Sequence, residues 1–273
     1  MATYLARYLH GEHEQVWAEL VALDAAVREE SFYSDAWAVA CETMRRVKYN
    51  IELLIPRLEA FGYQFGHSWL PEDEPHAHPP VFTPPAPDVY KVIAEFERRI
   101  GVLPLSLRAF YEIVGSVNFV GTPPEVWADG RKESGGLDAL YVYPADAEML
   151  NDAESWEEHY GWVTEEEWDL PGEDEEDLCD SRAYYALPHD CWLVCIAPDE
   201  CFKYDISGCG GYDIAIPNPA ADARLLTERH RTTFVNYLRI CFRYAGFPKL
   251  ETLGQSNNQI TTLSALTADL LPI

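Results

Sequence analysis

Apolar side chains recur three or four residues apart from Trp37 to Phe61, at Trp37, Cys41, Met44, Val47, Ile51, Leu54, Leu58 and Phe61. That is the period of an α-helix burying one face. Asp35 is placed to cap its start and Gly62 to end it. Pro56 interrupts the run and predicts either a kink or a second helix beginning at its first turn. Upstream, Val16, Trp17, Leu20, Leu23 and Val27 give an earlier helix over residues 12–28. Residues 1–70 therefore read as an antiparallel helical hairpin.

Residues 71–87 contain seven prolines in seventeen positions, which no helix or central strand survives. They read as an extended linker, or as a strap anchored by Val81 and Phe82. From 88 the pattern changes. Val89, Val92, Ile93 and Phe96 mark a short amphipathic helix ending near Gly101. A second helix starts at Pro104 and turns Leu107, Phe110, Tyr111 and Val114 inward. Short strands are expected at VNFVG, at LDALYVYP and at residues 184–187. CWLVCIA and CFKYDI flank PDE and read as a β-hairpin. YDIAIPNP is a further strand. A closing helix buries Phe234, Tyr237, Leu238, Cys241 and Phe242, and residues 251–273 read as a loosely attached tail. Strands joined by short turns predict an α+β fold over 88–250, an antiparallel sheet with helices on one side.

Charge narrows the function. The chain carries 46 acidic against 20 basic side chains, a formal charge of −26. Such a chain repels phosphate backbones and anionic lipid, which speaks against nucleic-acid and membrane partners. Acidity that merely maintains solubility is the plainer reading of the same number. No apolar run is long enough to span a membrane, no leader is evident, and the odd count of seven cysteines favours thiols, so a cytoplasmic location is expected.

Residues 146–180 form an acidic insert with sixteen carboxylates and no Lys or Arg, interleaved with Trp156, Tyr160, Trp162 and Trp168. One reading is a solvated loop whose tryptophans belong to its flanks. The other is a docking surface for a basic protein. Carboxylates would attract at long range and aromatics would supply the buried anchor. The residues singled out for that role are Trp156, Glu157, Glu158, Trp162, Glu165, Glu166, Glu167, Trp168, Asp169, Glu173, Asp174, Glu175, Glu176 and Asp177.

Other chemistry is weak. Cys191, Cys195, Cys201 and Cys209 match no zinc spacing, and Cys191 and Cys195 read as small core residues. His76 and His78 sit in the linker with nothing to complete a metal site. His189 and Cys191 are poorly placed as base and nucleophile, because strand neighbours alternate faces. The glycine-rich stretch 208–213 opens no helix and reads as a turn. Arg45, Arg46 and Lys48 read as a solvated face paired with Glu42 and Glu52. No catalytic residue, cofactor or metal site is assigned.

The run FERRIGVLPLSLRAFYEIVGSVNFVG resembles the SUKH superfamily of bacterial immunity proteins and a fungal regulator of cell-wall synthesis. The matching positions are Ile100, Gly101, Leu103, Pro104, Phe110, Tyr111, Gly115, Asn118 and Gly121. The likeness extends over about residues 88–247. A Gly-Asp-Gly-like turn usual near the first strand has no clean counterpart here. The resemblance implies a non-enzymatic binding domain, an immunity protein that blocks a cognate, commonly basic toxin. A regulatory scaffold is the alternative from the fungal branch. A metal-dependent hydrolase using the clustered carboxylates is the second alternative.

Overall fold

A computed structural model describes residues 2–66, 80–124, 137–146, 191–203, 211–251 and 257–273. The chain opens with two short helices, α1 (Tyr4–Leu9) and α2 (His13–Ala22). A 3-10 turn over Asp24–Arg28 then leads into α3 (Glu30–Phe61), of 32 residues. The predicted single helix over 12–28 is thus α2 plus the 3-10 turn, and α1 is an addition to the sequence reading. Asp35 does not cap α3, which begins five residues earlier. Its carboxylate instead accepts the backbone N–H groups of Tyr4, at 2.5 Å, and Leu5, at 3.1 Å. Together with the Thr3 hydroxyl, which accepts from the Ala6 N–H, it satisfies the free donors that open α1.

Helix α3 runs through Pro56 without interruption. Pro56 and Glu52, whose carbonyl loses its helical partner, both lie on the exposed face, so water can replace the missing bond. Gly62, at φ 96°, ends the helix as expected. The Gly62 and Tyr63 N–H groups bond back to Glu59 and Leu58.

The predicted helices after the linker form as α4 (Val89–Arg99) and α5 (Leu105–Ile113). The strands are short: β1 (Gln64–Phe65), β2 (Phe82–Thr83), β3 (Ser116–Asn118), β4 (Gly121–Thr122) and β5 (Tyr141–Val142). Then follow β6 (Trp192–Pro198), α6 (Glu200–Lys203) and β7 (Gly211–Ile216). Helix α7 (Phe234–Arg243), a 3-10 turn at Pro248–Glu251 and α8 (Asn257–Thr267) complete the chain.

All strand pairs are antiparallel: β1 with β4, β3 between β2 and β5, and β6 with β7. A bond from the Tyr143 N–H to the Ile196 carbonyl, 2.8 Å, links β5 to β6. The fold is therefore α+β with small antiparallel sheets. The expected hairpin around PDE does not form. Asp199 accepts the Phe202 N–H at 2.7 Å and starts α6, and the partner of β6 is β7. Cys195 sits at the bulge of that pair, half-buried, as is Cys191, so neither is the core residue expected.

Val81 and Phe82 pack against the core, and Phe82 pairs with Val117. The end of the proline-rich stretch is thus a strap. Two glycines let segments meet. A side chain on Gly101, at φ 135°, would stand 2.7 Å from Cβ of Pro217. One on Gly115, at φ 96°, would overlap the Thr83 carbonyl of the strap.

One core runs from Tyr8 to Ile273. Helix α3 packs on α5, where the Arg108 guanidinium lies 5.5 Å from the Trp37 ring. Phe110 of α5 meets Phe234 of α7 edge to face at 5.4 Å. All five predicted inward residues of α7 are buried. The residues after α8 are not loosely attached. Both amide atoms of buried Asn50 bond to the backbone of Leu271, at 2.9 and 2.8 Å. Arg46 donates to the Pro272 carbonyl, and Arg57 holds the carbonyls of Leu266 and Ala268. Arg46 therefore clamps the tail while pairing with Glu42, rather than lying on a solvated face. Among the described residues no helix is long and apolar enough to cross a membrane.

The clasp makes a prediction. Asn50→Ala removes two hydrogen bonds made by a buried amide and should lower unfolding stability by about 1–3 kcal/mol. Urea denaturation should show that loss, and hydrogen exchange should show faster exchange at Leu270 and Leu271.

Candidate functional site

All fourteen residues singled out between Trp156 and Asp177 lie outside the described residues. His76, His78, Cys179, His189, Cys209 and the strand expected at 184–187 lie outside them too. The flanks of the acidic insert are described. The chain leaves β5 through Tyr143 and Asp146 and resumes at Cys191, one residue before β6. Because β5 and β6 are joined by the Tyr143–Ile196 bond, the insert is rooted on two adjacent strands. It holds sixteen of the 46 acidic residues, and the rest of the chain carries thirty against twenty basic ones. More than half of the net charge therefore falls within this one stretch of the sequence.

Close to these roots is a buried ion pair that the sequence reading missed. Lys203 Nζ stands 2.7 Å from Asp138 Oδ1, with side-chain exposures of 1% and 0%. The Tyr212 hydroxyl donates to the same oxygen at 3.0 Å. The ammonium lies 4.4 Å from the centre of the Tyr212 ring and 5.9 Å from that of Tyr237. Burial, then the Asp138 charge, pushes the Tyr212 hydroxyl well above its ordinary range, so it stays a donor. The pair joins three parts of the chain: the residues before β5, the end of α6 and the start of β7. A lysine in a run read as one arm of a β-hairpin was the available signal. Its partner, 65 residues away, was not visible. With no solvent access, the arrangement positions loops rather than reaching a substrate.

Beside it Glu228, buried, accepts from the His230 ring at 2.6 Å, and the other ring nitrogen meets Glu251 at 2.8 Å. Burial disfavours the imidazolium, but Glu228 and then Glu251 outweigh that and raise the His230 pKa. The bridge fastens the loop before α7 to the turn before α8, next to an ion pair between Lys249 and Glu200.

A cleft of about 440 Å³ opens between α2 and α7. Glu14, Trp17, Ala18 and Val21 line it from α2, and Asn236, Arg239, Ile240 and Arg243 from α7, each set at helical spacing. Thr232, Thr233 and Asp222 close one end. Asp222 is structural. It accepts from Ser106 and from the Ala223 and Val235 N–H groups, which fixes the start of α7. Among the described residues no three His, Cys, Asp or Glu side chains gather as a metal site.

Two outcomes check this geometry. Lys203→Ala strands the Asp138 charge in the core and should cost about 3–5 kcal/mol, whereas Lys203→Met with Asp138→Leu should recover most of it, as read by urea denaturation. The His230 bridge should make stability pH-dependent. A raised folded pKa stabilises fully below the unfolded value of 6.5 and loses that contribution as pH climbs through the folded one. Melting temperature should therefore fall as pH rises above 6.5, and His230→Gln should flatten that part of the curve.

No known family model matches the chain, and neither a curated protein nor a solved structure is similar to it.

Proposed function

We propose that the protein is a non-enzymatic binding protein of the SUKH type, an immunity protein that neutralises a basic toxin domain by stoichiometric contact. The observation that carries this reading is the acidic, tryptophan-rich insert between β5 and β6. Sixteen carboxylates without one cation repel each other, and a cationic partner relieves that repulsion. Rooting the insert on paired strands suits a binding loop, since recognition segments are commonly loops held by a rigid scaffold. Trp156, Trp162 and Trp168 supply the aromatic anchors in this scheme, and Glu165–Glu167 and Glu173–Asp177 the steering charge.

The order around the Leu-Pro pair supports the family assignment. Helix α4 ends at Ile100 and Gly101, Leu103 is buried, Pro104 stands immediately before α5, and Gly115 turns the chain into β3. Asn118 accepts the Val120 N–H at 2.9 Å and shapes the turn towards Gly121. These positions carry the SUKH resemblance, and each has a physical task here. The cytoplasm is the compartment this reading expects.

Co-purification of the tagged protein from its host at low and high salt tests the proposal. The expected result is one basic partner in equimolar amount, weakened at least ~tenfold by Trp162→Ala or by charge reversal at Glu165, Glu166 and Glu167. Several weak partners, insensitive to salt and to these changes, would overturn it in favour of a regulatory scaffold.

A further inference from the structure

We infer that His13 is an acid-sensitive latch on residues 268–273: a proton on its ring uncouples Arg46 and Arg239 from Pro272 and Ile273 and lets that segment open. The inference is independent of the acidic insert.

Two arginines clamp Pro272 and Ile273, and both are seated on His13. Nη1 of Arg46 stands 2.7 Å from Nε2 of the His13 ring and 2.9 Å from the Pro272 carbonyl oxygen. The two hydrogens of that nitrogen therefore serve the ring and the segment together. Arg239 donates from Nη2 to the His13 carbonyl at 3.2 Å and from Nε to an oxygen of Ile273 at 2.7 Å. Ile273 is only 5% exposed and is part of the core. Asn50 and Arg57 hold their partners without His13, so α8 stays on α3 while the opening runs from Ile273 back towards Leu271.

The state of the ring follows from its partner. A guanidinium has only donors, so Nε2 of His13 offers its lone pair and the ring is neutral. A proton on Nε2 removes that acceptor and sets two N–H groups against each other. It also adds a third positive charge beside Arg46 and Arg239, in the first turn of α2, where the helix dipole disfavours a cation.

The elements packed around the ring give little relief. Tyr8 of α1 meets it edge-on at 4.7 Å and stays neutral, its hydroxyl pushed up by burial. Glu14, the next residue of α2, favours the charged ring but is exposed. Glu12 is taken by Arg7 at 2.9 Å, and Glu42 of α3 by Arg46 at 3.0 Å. The His10 ring meets the Ala6 carbonyl at 2.6 Å. Buried Asp222 acts on Arg239. Burial first, then Arg46 and Arg239, hold the His13 imidazole below its ordinary range. Its contribution to stability is therefore present above pH 6.5 and is lost as pH falls, the opposite sign to His230.

Amide exchange of the full chain by NMR, expressed as protection factors to divide out the intrinsic pH dependence, tests this at about pH 7.5 and about pH 5. The reporter is Leu271, whose N–H meets Asn50 Oδ1 at 2.8 Å. It should exchange faster than fully buried Phe110 of α5 at both pH values, which shows opening without global unfolding and checks that each variant is folded. Acid should cut Leu271 protection at least ~fivefold in the parent and in His10→Gln. In His13→Gln, whose amide oxygen accepts from Arg46 without titrating, the loss should be less than ~twofold. His13→Lys, a fixed cation, should leave Leu271 poorly protected already at about pH 7.5. The inference is overturned by equal acid losses in the parent and His13→Gln, by no loss in the parent, by parent-like protection in His13→Lys at the higher pH, or by Leu271 and Phe110 exchanging at one rate.

Discussion

Helix α3 cannot bury its apolar stripe alone, and the rest of the molecule is arranged by that need. Ala36, Val39, Ala40, Met44, Val47, Ile51, Leu54 and Leu58 are fully buried along it. Helix α5, the first helices and the C-terminal segment each cover part of the stripe. The N-terminal helices and the α+β part thus share one apolar core, and losing one cover exposes surface belonging to several elements.

Arginine ties this assembly together in an unusual way. In a chain so rich in carboxylates, four guanidiniums nevertheless hold backbone carbonyls of distant segments. Arg28 reaches Leu103 and Pro219, Arg46 reaches Pro272, Arg57 reaches Leu266 and Ala268, and Arg239 reaches Ile273 and His13. A planar fork with five donors can satisfy two carbonyls at once while its stem packs on apolar surface. These clamps tie loops and helix ends to distant parts of the fold.

Electrostatics then divides the molecule. The acidic insert carries most of the excess negative charge, whereas residues 223–250 are basic. Asp138 and Lys203 neutralise each other out of solvent.

The chain itself determined its helices. Periodicities of three and four in α3, α4, α5 and α7 gave elements and buried faces that the fold keeps, because a helix is set by local spacing and one apolar environment. Gly62 was legible as a stop for the same reason. The acidic insert was legible as the place of greatest charge, although its fourteen candidate residues lie outside the described ones. Tertiary structure decided what depends on a distant partner. Asp35 caps α1 across thirty residues, and β6 pairs with β7 rather than with the segment after PDE. Asn50 holds Leu271 across 221 residues, Lys203 meets Asp138, and two helix faces diverge to leave a cleft. A capping carboxylate, a strand edge and a buried amide each have many partners in the sequence that would satisfy them equally well. Only packing of the shared core brings one of them within hydrogen-bonding distance.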